Sequence, residues 1–204
     1  MTSPKGASPI ASNSRLVLAS ESPRRKSLLA QAGIAPDAVL PAAIDESIHR
    51  NEQPRPYALR LASAKAAAVA ERCAGEPAFI LAADTVVALG RRILPKAETE
   101  ADVRDCLERL SGRAHRVMTA IALATPDGKF RTRIVDTRLI FDRLDAARID
   151  SYVQCGEGLG KAGGYAVQGR AETFVRHIAG SYSNVVGLPL RETISLLRGC
   201  GYPC

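Results

Sequence analysis

Three features of this 204-residue chain predict a mixed α/β fold. Apolar runs of strand length alternate with segments whose apolar residues recur at the helical period. Two pairs of strand-like runs follow one another with only a turn between, so hairpins stand beside helical connections. The resulting order, β-α, β, α, β-β, α, β-β, α, β, α, is a mixed sheet flanked by helices and not a regular doubly wound one. The length suits one domain with a substantial core. Residues 16–204 are expected to form it, and residues 1–15, MTSPKGASPIASNSR, a flexible tail.

The first strand is Leu16, Val17, Leu18 and Ala19, and a helix follows a short turn. Ser22 suits its N-cap, Pro23 its first position and Gly33 its stop. Arg24, Arg25 and Lys26 then fill a first turn where the helix dipole favours acids. Free amides, the hydroxyls of Ser20 and Ser22 and three cations meet at one point. Two readings stay open on these residues alone: a polyphosphate site, or basic side chains splayed into solvent.

Residues 38–41 are a short apolar stretch before Asp45 and Glu46, which read as a solvated turn or as part of a metal site. Residues 55–73 are helical by the recurrence of Leu59, Leu61, Ala62, Ala66, Val69 and Ala70, with Pro56 in the first turn. Spacing alone puts Lys65 on a solvated face of that helix. Residues 79–83 read as a strand that ends at Asp84 and Thr85 before apolar residues resume. A carboxylate in such a run is costly to bury without partners. Asp84 is therefore either an inward salt-bridge residue or a strand-end acid that holds a metal or a water.

Beyond the turn at Gly90, Lys96 leads to a helix capped by Thr99, with Asp102 at capping-box spacing and a stop at Ser111 and Gly112. Residues 115–124 and 129–141 form a long hairpin about the Thr125-Pro126-Asp127-Gly128 turn. Asp145 caps a helix through Val153. The glycines of residues 156–165 match neither G-x-x-x-x-G-K-[ST] nor a strand-to-helix G-x-G-x-x-G, so no phosphate loop is read there. A short strand at 174–178, a polar turn at 180–184 and an amphipathic helix at 188–198 complete the chain.

The formal net charge is +7, which favours anionic partners without saying which. Aromatic residues are only 4%, with no Trp, so a base-stacking platform is poorly supported and nucleic acid is an unlikely partner. Five scattered cysteines without a C-x-x-C pair read as reduced thiols of a cytoplasmic protein. No stretch reads as a signal peptide or a membrane span. His49, His115 and His177 lack ligand spacing and read as surface or structural residues.

Several motifs together resemble the Maf family of nucleoside triphosphate pyrophosphatases. They are Ser20-x-Ser22-Pro23-Arg24-Arg25, Asp45-Glu46, Arg60-Leu61-Ala62-x-x-Lys65, Ala83-Asp84-Thr85, Lys96, Leu110-Ser111-Gly112, Lys161-Ala162-Gly163-Gly164-Tyr165-x-x-Gln168-Gly169 and residues 180–190. The resemblance implies a fold similar to the inosine triphosphate pyrophosphatases, with two lobes around a cleft. It also implies a homodimer and a divalent cation, Mg²⁺ or Mn²⁺. The Asp84-Thr85 pair and Gln168 are similar to the dTTP/UTP branch, with modified pyrimidine nucleotides such as 5-methyl-UTP as further substrates. On this resemblance Asp84 is the catalytic proton acceptor, Glu46 and Asp84 hold the metal, and Ser20, Ser22, Arg24, Arg25, Lys65 and Lys96 bind phosphates. Arg24, Thr85 and Gln168 set base specificity, Gln168 by matching the imide edge of uracil or thymine. The alternative is a regulatory or nucleic-acid-binding protein linked to cell-division arrest. One departure is Ala97 where many relatives have Pro after the lysine, which predicts a looser loop at Lys96.

Overall fold

The computed structural model describes residues 15–204. The expected tail lies outside the described residues except for Arg15, which begins the first strand. Seven strands form one sheet: β1 (Arg15–Leu18), β2 (Ala38–Val39), β3 (Ala78–Leu89), β4 (Arg92–Leu94), β5 (Ala114–Ala124), β6 (Phe130–Phe141) and β7 (Val175–Ala179). Their spatial order is β2-β1-β3-β5-β6-β7, with β4 also against β3. Only the β1–β2 and β1–β3 pairs are parallel, which makes the sheet mixed as the sequence predicts.

Among the described residues six α-helices flank it: α1 (Pro23–Gln31), α2 (Pro54–Arg72), α3 (Glu100–Leu110), α4 (Ala146–Gln154), α5 (Tyr182–Val186) and α6 (Leu190–Gly199). The Thr99 capping box forms as its spacing predicts, and Asp145 accepts from the Arg148 amide. Ser22 occupies the N-cap position of α1, but its side chain makes no capping bond. The turn expected at 180–184 is instead the start of α5, because the Ser181 hydroxyl accepts from the Asn184 amide and nucleates one helical turn.

Strand β3 is the axis of the fold. The sequence expectation of a break at Asp84 is corrected: β3 runs through twelve residues without interruption. Strand β5 pairs with it from Ile80 to Ala88, so the ladder continues whatever side chain stands at 84. On the opposite edge β1 pairs with residues 78–81 and β4 with residues 87–89, and neither reaches the stretch between. The sheet is therefore split beside Asp84, and chain ends and loops gather at the split.

The two faces of β3 differ in what covers them. Ile80, Ala82 and Val86 meet Ala58, Ala62, Ala66 and Val69 of α2. Phe79, Leu81, Ala83 and Val87 join the larger core with Leu28, Leu29, Leu107, Leu110 and Leu197. Strand alternation then puts Asp84 on the α2 face and Thr85 on the other. The small residues of α2 let that helix lie close to the sheet.

Candidate active site

All ten residues singled out in the sequence line one cleft of about 560 Å³ at the split in the sheet. They are Ser20, Ser22, Arg24, Arg25, Glu46, Lys65, Asp84, Thr85, Lys96 and Gln168. Asp45 goes elsewhere: it is exposed, and its carboxylate accepts from the amide and hydroxyl of Ser47. That is the solvated turn its sequence allowed.

The centre of the cleft is a chain of alternating charge. Lys65 Nζ lies 2.6 Å from Asp84 Oδ1 and 2.7 Å from Glu46 Oε1, and Lys96 Nζ lies 2.7 Å from Glu46 Oε2. Lys65 is 8% exposed and Asp84 5% exposed. The solvated position that spacing assigned to Lys65 is thus corrected. Its face of α2 looks onto the sheet, and a buried ammonium is tolerable there because two carboxylates meet it.

Burial pushes the Asp84 carboxyl above its ordinary value of 3.8, although Lys65 and Arg25 pull it down. Glu46 goes the other way. Burial raises it too, but its bonds to Lys65 and Lys96 outweigh that and hold it at about 2. Two acids a few ångströms apart therefore have different proton affinities: Glu46 stays ionised, and Asp84 is the better proton acceptor.

Arg25 ties the cleft walls together. Its guanidinium donates to the Gly187 carbonyl at 2.8 Å, the Ser20 hydroxyl at 2.8 Å and the Thr85 hydroxyl at 3.2 Å. Thr85 in turn shares a 3.0 Å hydrogen bond with Thr119 on β5. Arg25 is committed to positioning α1, β3 and the segment after α5, with part of its five-donor fork left for a ligand. Arg24 also lines the cleft, and Gln168 is exposed at its rim.

Two α2 residues support the site, Tyr57, which the sequence did not single out, and Arg60, which it gave only as part of a motif. Tyr57 on α2 donates its hydroxyl to the Glu46 carbonyl at 2.8 Å, and Arg60 donates to the Ser47 carbonyl at 2.8 Å and to Glu52. The loop bearing Glu46 is pinned to α2 by these bonds. No periodicity marks Tyr57, so only the fold could reveal it. Lys161 lies in a motif the sequence did show, and it also lines the cleft.

The expectation of a looser loop at Ala97 is overturned. Ala97 is fully buried, its amide donates to the Lys161 carbonyl at 3.1 Å, and its carbonyl accepts from Gly160 at 2.8 Å. A proline there would lack the first bond. Lys96 pairs with Ala162 beside them, so the Lys96 loop and the 160–168 loop are zipped together. Gly163 makes the close approach possible, since a Cβ at that residue would stand 2.7 Å from Val87 Cγ1.

His115 is structural, as read from the sequence. It is buried, its Nε2 lies 2.9 Å from the Tyr165 hydroxyl, and burial holds its pKa down at about 4. The neighbouring Ala166 amide donates to the Tyr152 hydroxyl at 3.0 Å. These two bonds anchor the loop that carries Gln168.

Five cationic side chains and three carboxylates line the cleft, an excess that suits an anionic ligand. The fold and this site define a class: a mixed α/β protein with a cation-rich cleft built around one buried acid. The chain belongs to the Maf family, whose Maf-like protein profile matches residues 15–200. It is 59% identical over 193 residues to the dTTP/UTP pyrophosphatase of Caulobacter vibrioides, covering 95% of this chain and 99% of that one. It is 57% identical over 197 residues to the dTTP/UTP pyrophosphatase of Maricaulis maris, covering 97% and 93%. Among solved structures, a nucleoside-triphosphatase / dITP/XTP pyrophosphatase from Mycobacterium abscessus aligns over 91% of this chain and 94% of its own, with a TM-score of 0.45 and 16% identity.

Proposed function

We propose that this protein hydrolyses dTTP and UTP to the nucleoside monophosphate and pyrophosphate. The observation that carries the chemistry is Asp84, an acid buried in mid-strand, raised in pKa by burial and held by Lys65 inside a cationic cleft. The substrates are those named for the relatives at 59% and 57% identity. Hydrolysis of a phosphoanhydride needs its charge neutralised, a water aligned and a group to take the water's proton.

Arg24 and Lys96 are assigned to the triphosphate, with the α1 amides and the Ser20 and Ser22 hydroxyls as further donors. Asp84 is assigned the proton of the attacking water. An ordinary aspartate is a weak base at neutral pH, and the upward shift from burial brings it closer to that task. Lys65 occupies Oδ1, which leaves Oδ2 to face the water. Thr85 and Gln168 belong to base recognition, where the Gln168 amide matches a carbonyl and the adjacent N–H of uracil or thymine.

The donor set fits a divalent cation. Glu46 and Asp84 line the same cleft and meet the same ammonium, so an ion beside Lys65 would draw on oxygens that Lys65 leaves free, Asp84 Oδ2 among them, and with phosphate oxygens these are the hard-oxygen set that Mg²⁺ or Mn²⁺ takes. Among the described residues no group of three His, Cys, Asp or Glu side chains stands ready to hold a metal unaided, so the substrate's oxygens are part of the proposed site. Such an ion, when bound, would neutralise phosphate charge and acidify a bound water. The homodimer and the cytoplasmic location belong to this proposal as well. No helix among the described residues is long and apolar enough to cross a membrane.

The test is a panel of nucleoside triphosphates with Mg²⁺ or Mn²⁺, scoring pyrophosphate against orthophosphate. Pyrophosphate with UMP or dTMP is expected. Asp84→Asn is expected to lower kcat by about 10²- to 10⁴-fold, the usual worth of a general base, with the fold intact by circular dichroism. Release of orthophosphate and a diphosphate, or full activity in Asp84→Asn, refutes the assignment.

A further inference from the structure

The proton of the Thr85 hydroxyl can be placed by elimination. Thr85 on β3 stands directly opposite Thr119 on β5, and their Oγ1 atoms are 3.0 Å apart. Either hydroxyl could donate across that contact. Thr119 Oγ1 also lies 2.9 Å from the backbone carbonyl of Asn184, and a carbonyl only accepts, so the Thr119 proton goes there. Thr119 therefore takes the proton of Thr85. On its other side Thr85 Oγ1 meets the Arg25 guanidinium at 3.2 Å, which only donates. The proton and one lone pair of Thr85 are spent, and a single acceptor lone pair is left.

The groups behind Thr85 are held in place. Thr119, Thr137 and Asn184 are fully buried. The Asn184 side-chain amide donates to the Val117 carbonyl and to the Thr137 hydroxyl, both at 2.9 Å, and its backbone amide donates to the Ser181 hydroxyl at 3.2 Å. The carbonyl that takes the Thr119 proton is thus fixed by β5, β6 and the first turn of α5 together. On the open side, Thr85 is half-buried and lines the cleft. A Cβ at Gly187, whose φ is +129°, would lie 3.5 Å from Thr85 Oγ1, so the glycine keeps space beside the hydroxyl.

We propose that Thr119 is a positioning residue that makes Thr85 an acceptor only, so that Thr85 takes a hydrogen from the nucleoside and gives none. This inference rests on the reading of the cleft as a dTTP/UTP pyrophosphatase site. It excludes two partners for Thr85. Ionised phosphate oxygens and base carbonyls only accept, and a hydroxyl whose proton is spent cannot serve them. The donors that dTTP and UTP have in common are the imide N–H of the base and the 3′-hydroxyl of the sugar. Both offer the same chemistry, a hydrogen directed at the remaining lone pair of Thr85.

The experiment compares wild type, Thr119→Val and Thr119→Ser on UTP, N3-methyl-UTP and 3′-deoxy-UTP, with tripolyphosphate as a competitive inhibitor that probes the phosphate end alone. Valine keeps the shape of threonine and frees the Thr85 proton, whereas serine keeps the hydroxyl. In wild type the analogue lacking the donor that Thr85 meets is turned over less well than UTP. Thr119→Val is expected to lower kcat/KM for UTP by about 3- to 10-fold, the net worth of one hydrogen bond, and to leave that analogue unchanged, so its penalty shrinks by the same factor. Thr119→Ser is expected to restore the wild-type selectivity, and tripolyphosphate inhibition to stay constant throughout. A shrinking penalty for N3-methyl-UTP assigns Thr85 to the base, and one for 3′-deoxy-UTP assigns it to the sugar. The inference is overturned if Thr119→Val lowers all three substrates by one factor, which would make its role merely structural, or if it changes none of them. It is equally overturned if Thr119→Ser fails to restore the selectivity or if wild type turns over both analogues as well as UTP. Thr119→Ala carries the same expectations should Thr119→Val not fold. Failure of wild type to release pyrophosphate from UTP would count against the underlying reading instead.

Discussion

Replacing Lys65 by Met tests the charge arrangement at the centre of the cleft. The substitution keeps the length of the side chain and removes the ammonium that meets Asp84 at 2.6 Å and Glu46 at 2.7 Å. Glu46 is partly exposed and keeps Lys96, whereas Asp84 loses the only lysine that touches it among the described residues. Two unit charges 2.6 Å apart interact by about 6 kcal/mol at an effective dielectric of ~20. Breaking one buried pair typically costs about 3–5 kcal/mol. The carboxyl limits this loss by taking a proton. Removing Lys65 deletes influences that pull Asp84 down and leaves burial, which raises it. An acid with a raised folded-state pKa destabilises the fold once it must ionise, so the deficit should appear as pH rises through that pKa. Urea unfolding of wild type, Lys65→Met and Lys65→Met/Asp84→Asn from pH 5 to 9 reads this directly. The single variant should lose stability toward high pH, and the double variant should regain most of it. Equal instability of the two variants at every pH, or no pH dependence in the single one, would refute the reasoning.

Gln168→Glu replaces an amide that matches an imide edge with an acid suited to two adjacent N–H donors, so kcat/KM for UTP and dTTP should fall relative to GTP. An unchanged ranking in the substrate panel removes Gln168 from base recognition. His115, neutral in the fold with a pKa of about 4, should make stability fall as pH drops from 6.5 toward 4, since only the unfolded chain is protonated over that window. At ~1.4 kcal/mol per unit the full effect is about 3 kcal/mol. The difference in unfolding free energy between wild type and His115→Gln should therefore shrink between pH 6.5 and 5, and a constant difference would contradict the burial argument.

What the sequence revealed and what it hid follow from where each signal is stored. Helix starts are local, and Pro23, the Thr99–Asp102 box and Asp145 could be placed without knowing the fold. The position of Asp84 within its strand is not local. Its carboxylate looked like a terminator because the cost of burying it is visible in the sequence, whereas the two things that offset it are not: the unbroken ladder from β5 and the ammonium from α2. Lys65 was hidden for a related reason. Helix α2 is rich in alanine along its length, so little contrast marks which side faces the sheet, and a lysine on it looks solvated. Ala97 shows the same limit from the opposite direction: losing a proline looked like loosening until the freed amide was found bonded to Lys161. In each case the missing information is the partner across a long-range contact. These contacts cluster where β1 and β4 part along β3, because that is where the sheet leaves room for side chains from α1, α2 and the 160–168 loop to meet. The cleft thus depends on the split: an unbroken sheet edge would have occupied the space that Lys65, Arg24 and Lys161 now line.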